Sequence, residues 1–128
     1  MDGLSFNHID AYVHFNLPDS KKFIKLKDIM YITQAGRMVI LNLKQEIKFK
    51  YSEDINSLMG RINSPGFCQI SPGRVVNFDF IKSVSKNNLT FKNGEIVQID
   101  ETYLSEFENR YYKHKYVEVS SKSILNQV

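Results

Sequence analysis

The sequence is poor in the side chains that crosslink a chain, hold a metal or carry a covalent step. Cys68 is the single cysteine in 128 residues, so no disulfide can form within the chain, which suits a cytoplasmic protein better than a secreted one. The histidines, His8, His14 and His114, stand at no metal-ligand spacing from one another or from Cys68, and neither a metal nor a cofactor is expected. Long hydrophobic runs are missing too. Stretches such as Met38 to Leu41 fall far short of the roughly 20 apolar residues that span a bilayer. The start, Met1-Asp2-Gly3, has neither the basic flank nor the apolar segment of a signal peptide.

The usual signatures of catalysis are equally absent. No G-x-x-x-x-G-K-[ST] phosphate loop, G-x-G-x-x-G fingerprint or G-x-S-x-G elbow occurs. Cys68 follows Phe67 in an apolar run, where a packed thiol is the ordinary outcome and a nucleophile would need a partnering base. Asp100 and Glu101 are adjacent carboxylates, but at a helix start they serve as cap and dipole partner. An enzyme with a small-molecule substrate is not expected.

What is present fits one globular domain. Hydrophobic residues make up 42% and charged residues 24%, ordinary values that allow a single sizeable core. The net charge of +3 is unevenly spread. Residues 21–50 carry eight basic side chains against Asp28 and Glu46, a local balance of +6, whereas residues 1–20 hold only Asp2, Asp10 and Asp19. Such a basic segment is either a surface facing a polyanion or a solvated strand face.

Period-two patterns dominate the chain. Ile9, Ala11, Val13, Phe15 and Leu17 alternate with polar residues and predict a strand ending at Pro18. Phe23–Leu26, Ile29–Thr33, Met38–Leu43 and the alternating Ile47, Phe49 and Tyr51 predict more, with Gly36 supplying a turn in Gln34–Arg37. Ser52 reads as the N-cap of a helix whose stripe is Ile55, Leu58, Met59 and Ile62, ended by Ser64-Pro65-Gly66. Strands resume at Phe67–Ile70, Val75-Val76 and Ile81–Val84. Asn93-Gly94, between Leu89–Phe91 and Ile96–Ile99, predicts a type I′ hairpin. A second helix starts at Asp100, with Tyr103, Leu104, Phe107 and Tyr111 on one side. The fold class is therefore mainly β, and the segment after Lys113 has no clear pattern.

From about Lys22 to Tyr111 the order of elements resembles the LytTR family of bacterial DNA-binding domains. Asp28-Ile29-Met30-Tyr31-Ile32 is similar to the family's D-I-x-Y-I strand, with a hairpin turn at Gly36-Arg37. The helix with Ile55, Leu58 and Ile62 falls in the expected place. Phe67-Cys68-Gln69-Ile70, Val75-Val76-Asn77 and Ile81 follow the family's F-x-x-I, V-N and I positions, and Phe91-Lys92-Asn93-Gly94 its late hairpin. The resemblance implies about ten short strands in small antiparallel sheets with one or two short helices. It divides the chain into a strand and lead-in at 1–21, a DNA-binding domain at 22–112 and a tail at 113–128.

It further implies a bacterial transcription regulator that reads duplex DNA with loops and turns in the major groove, commonly at promoter direct repeats. A homodimer on DNA and a membrane-protein or other protein regulator are partners of the same implied kind. Most members carry a receiver domain in front, for which residues 1–21 are too few. On this reading Arg37, Gln69, Ser71 and Arg74 reach base edges, while Lys44, Lys48 and Lys86 grip phosphates. Lys44, Lys48 and Lys50 could equally be an exposed strand face, and Arg37 and Lys86 ordinary turn residues. Asn77 joins the set through the Val-Asn motif, although its type equally suits fixing the backbone of the Arg74–Asp79 turn.

Two departures stand out. Ser71-Pro72-Gly73 replaces the family's usual His-Arg-Ser, and Asp100-Glu101 replaces its usual Ser-Arg. Both remove donors or positive charge expected to face phosphate. The alternative they raise is a divergent domain with weakened DNA binding that acts through protein contacts. A third reading is a nucleic-acid-binding β-barrel of another family.

Overall fold

A computed structural model describes the backbone of residues 11–127 and the side chains of residues 11–115. Ten strands form: β1 Tyr12–Asn16, β2 Lys21–Lys25, β3 Ile29–Ala35, β4 Met38–Leu43, β5 Lys48–Ser52, β6 Phe67–Ser71, β7 Arg74–Asn77, β8 Ile81–Ser85, β9 Asn88–Phe91 and β10 Ile96–Gln98. Two α-helices accompany them, α1 at Ile55–Ile62 and α2 at Glu101–Gln127. Every strand pairing is antiparallel. The strands make a five-stranded sheet in the order β5-β4-β3-β7-β6, a three-stranded sheet β10-β9-β8, and the β1–β2 hairpin. The mainly β class and the strand count match the expectation from sequence.

The five-stranded sheet is a wall shared by two cores. Because successive strand residues point to opposite faces, Ile32, Leu41, Phe67 and Val75 lie on one side with Val13, Phe15 and Ile24 of the hairpin and Ile55, Leu58 and Ile62 of α1. Cys68, Ile70 and Val76 lie on the other with Ile81, Leu89 and Phe91, and with Phe107 and Tyr111 of α2. Most of these are at or below 4% exposure. Full burial of each large apolar side chain is worth about 1.5–3 kcal/mol relative to exposure.

Several local expectations need correction. Ser52 does not cap α1, because it stays in β5 paired with Met38. Asp54 is the cap instead, its carboxylate accepting from the Asn56 N–H at 3.0 Å. The helix stops at Asn63, which takes a left-handed φ of 43°, one residue before Ser64-Pro65-Gly66. Asn93-Gly94 does form a hairpin, but not with two positive φ values, since only Gly94 has one (94°). The Gly94 N–H donates to Phe91 O and the Phe91 N–H to Glu95 O, which makes a three-residue loop with the glycine at the bulge. The paired positive φ of a I′-type turn occurs at Gln45 (63°) and Glu46 (61°) between β4 and β5. Neither is glycine, and left-handed backbone costs such residues roughly 1–2 kcal/mol each. Finally, α2 is 27 residues long rather than short. The expectation for Ile9 lies outside the described residues.

Cys68 is packed, as expected of its apolar run. Burial pushes its thiol above the ordinary value, with Glu106 adding and the Arg110 guanidinium opposing. Native protein should therefore react with a thiol reagent at pH 8 more slowly than unfolded chain, by on the order of tenfold or more. Equal rates would show the site to be open.

Candidate nucleic-acid interface

The turns named from sequence converge at one end of the five-stranded sheet. The β3–β4 turn, Gly36-Arg37, leaves that end next to the β6–β7 turn, Pro72-Gly73, because the Gln34 N–H donates to Gly73 O at 2.9 Å. Beside them the Asp100 N–H donates to Ile70 O at 2.8 Å, which fixes the start of α2 against β6. The Ile99 N–H in turn donates to Asn87 O at 2.7 Å, bringing in the β8–β9 turn with Lys86. Arg37, Ser71, Lys86 and the Asp100-Glu101 pair thus share one rim. Arg37 and Lys86 are exposed, and Ser71 is half-buried.

Gln69 and Arg74 belong to the same strands but are partly committed. The Gln69 amide donates to Pro72 O at 3.0 Å, bracing the turn that replaces the family's usual basic one. The Arg74 guanidinium folds back over the Tyr31 ring, 5.3 Å from its centroid. Tyr31 stacks on Phe91 on the same face and donates its hydroxyl to Glu95 at 3.1 Å. Burial, then the Glu95 carboxylate, holds the Tyr31 phenol above its ordinary value. In this geometry Arg74 lies along the sheet face, and a rotation of its side chain would be needed to reach past the turn.

Three of the named residues lie elsewhere. Asn77 is fully buried, donating to Ile29 O at 2.9 Å and Leu26 O at 3.4 Å and accepting from the Asp79 N–H at 3.0 Å. It is a backbone clamp and cannot touch a base. Lys44 sits at the far end of β4, 3.4 Å from Asp28. Lys48 pairs with Asn42 at that same far end. Six strand residues at about 3.4 Å each put roughly 20 Å between Arg37 and these lysines.

A residue that the sequence did not single out organises the rim. The Gln34 side-chain NH2 donates to Gly36 O (3.0 Å), Met38 O (3.1 Å) and Glu53 O (3.3 Å). Its oxygen accepts from the Ile55 N–H at 2.6 Å, satisfying an otherwise orphan donor at the start of α1. A glutamine next to a turn carries no local signature of this role, which depends on α1 returning beside β3. Gln34→Ala should lower stability by about 1–3 kcal/mol and loosen the Arg37 turn. Chemical denaturation would measure the first and amide exchange at residues 36–38 the second, and wild-type values for both would refute the role.

Comparisons with known proteins bear on the family and the fold. The family profile of the LytTr DNA-binding domain matches residues 19–112. A solved structure, the LytTr DNA-binding domain of a methyl-accepting/DNA response regulator from Bacillus cereus, is similar with a TM-score of 0.64. The match covers 77% of this chain and 94% of that one at 17% identity, a level that speaks to the fold alone. No curated protein matches. With the profile spanning both larger sheets, α1 and all the turns of the rim, the chain belongs to the LytTr DNA-binding domain family.

Proposed function

We propose that the protein is a bacterial transcription regulator that binds promoter DNA sequence-specifically through the turns of the rim. The observation that carries this reading is the convergence of the Arg37, Ser71 and Lys86 turns at one sheet end, on a domain whose family binds DNA. Arg37 has the rigid five-donor fork that suits a guanine edge, and Ser71 can donate or accept. Lys86 grips phosphate at the flank of the same rim. Gln69 and Arg74 act at a second level: Gln69 holds the β6–β7 turn in shape, and Arg74 swings from Tyr31 onto the duplex. Lys44 and Lys48 are left out of the contact. The protein works in the cytoplasm, as a homodimer on direct repeats, under a protein partner that supplies the signal.

The test is fluorescence anisotropy with duplex from the protein's own upstream region beside a scrambled duplex, at low and near-physiological salt. Preference for the native duplex that survives the higher salt is the expected result. Equal, weak binding that vanishes with salt would reduce the interaction to counterion release and end the base-reading assignment.

One observation favours a second reading. Gln69 and Arg74 are both engaged within the molecule, and Asp100 and Glu101 stand exposed on the rim where phosphate would pass. On that reading the domain has given up most DNA affinity and docks a protein. Equal, weak binding to both duplexes that vanishes at the higher salt would favour it.

A further inference from the structure

The β1–β2 hairpin uses only one of its faces for the core. Val13, Phe15 and Ile24 point inward, whereas Tyr12 pairs with Lys25, His14 with Phe23 and Asn16 with Lys21 on the outward side. Tyr12 is 53% and Phe23 60% exposed, and the His14 and Phe23 rings lie 6.0 Å apart. Lys21 and Lys25 are exposed around them, Lys22 is exposed on the opposite side beside Phe15, and Asp19 in the turn is the one carboxylate between residues 12 and 25. Exposed rings set among amines match a sugar–phosphate backbone: ammonium groups replace condensed counterions, and ring faces cover deoxyribose or a splayed base.

The hairpin is also fixed relative to the rim. The Tyr51 hydroxyl donates to Asn16 O at 3.1 Å, at the Lys21 end of the hairpin. Tyr51 itself pairs with Val39, one residue beyond Met38 and two beyond Arg37. From α1, Arg61 donates to His14 O at 2.6 Å and forms a paired contact with the Glu53 carboxylate at 2.8 and 3.0 Å. The Glu53 carbonyl accepts from Gln34, the residue that braces the Arg37 turn. The hairpin is therefore held by β5 and α1, the same elements that meet the Arg37 turn through Met38 and Gln34.

Building on the DNA-binding reading above, we propose that the outward face of the β1–β2 hairpin is a second, sequence-independent contact that grips the duplex backbone flanking the bases read at the rim. Its charges are solvated on the free protein and no core residue depends on them, so substitution leaves the fold intact. The test compares wild type with the double variant Lys21→Gln, Lys25→Gln and with Phe23→Ala, on native and scrambled duplexes across a salt series. The double variant should make the slope of log K against log[salt] shallower by about 2, since each lost phosphate contact removes about 0.9. Both duplexes should weaken alike, so the native-to-scrambled ratio stays at its wild-type value. Phe23→Ala should weaken both without changing the slope.

An unchanged slope overturns the proposal, and so does a selective collapse of the ratio, which would make the hairpin a base reader. Loss of binding to anionic phospholipid vesicles with DNA binding intact would also overturn it and give the face to a lipid surface. Failure of the proposed function is a separate outcome. Wild type would then show no preference between duplexes and Arg37→Ala would change nothing, while the slope comparison on scrambled duplex would still decide the hairpin.

Discussion

Arg37→Ala is expected to erase the preference for native over scrambled duplex while leaving the thermal transition where it was. Arg37 is exposed at the tip of the β3–β4 turn, and its removal takes nothing from either core. A bidentate arginine–base contact contributes about 1–3 kcal/mol of discrimination, a factor of roughly five to more than a hundred in the affinity ratio. The loss should appear in the ratio more than in scrambled-duplex affinity, because removing one charge changes the salt slope by only about 0.9. Arg37→Lys is the informative companion. It keeps the charge but not the planar fork, so it should recover non-specific affinity and leave the ratio low. A wild-type ratio in both variants would mean that this turn does not read bases.

Asn77→Ala should be the most damaging single truncation for stability. The side chain closes three backbone hydrogen bonds at zero exposure, joining β7 to the Leu26–Ile29 segment and to the Asp79 turn. Alanine would leave those backbone groups buried without partners, at a combined cost of roughly 3 kcal/mol or more. For a domain of this size that corresponds to a Tm lower by roughly 10–15 °C. Asn77→Asp tests the mechanism, since a carboxylate can still accept from the Asp79 N–H but faces Leu26 O and Ile29 O without a proton to donate. It should be at least as destabilising as alanine. A Tm within a few degrees of wild type in either variant would contradict the clamp.

These two residues show what the sequence could and could not convey. Strand positions are legible because alternation records which side of each strand meets a core, and the five-stranded sheet contributes residues to two cores on its opposite faces. The family resemblance singles out Arg37 and Asn77 together, yet one stands exposed on a turn and the other is fully buried. Burial separates them, and burial of a polar residue is set by which strands flank it, not by its neighbours in the chain. Lys44 and Lys48 were chosen on local charge, and charge density along a strand does not say which end of the sheet a residue occupies. The I′-type turn was expected at Asn93-Gly94 because that dipeptide accepts positive φ cheaply. Pairing of β4 with β5 imposes the same backbone on Gln45 and Glu46, which carry no turn signature. Ser52 and Asp54 are both good caps, and the choice was made by Ser52 remaining in β5. Gln34 is illegible for a similar reason, since two of its four bonds, to Glu53 O and from the Ile55 N–H, answer to where the chain returns.

The shared wall between the two cores bears on how the rim behaves when a duplex arrives. β3 pairs with β4 on one side and β7 on the other, with Ile29 and Ile32 buried in one core and Tyr31 half-buried against the other. Opening it exposes both cores at once, so its central amides should exchange with solvent only through global unfolding. The Arg37 and Pro72-Gly73 turns are rooted in this strand and its neighbour. On the proposed DNA-binding reading they meet the duplex already ordered, and little conformational entropy is lost on contact. A rigid reader of this kind leaves adjustment to the nucleic acid, so sites whose base steps bend easily should be preferred even at positions that no side chain touches.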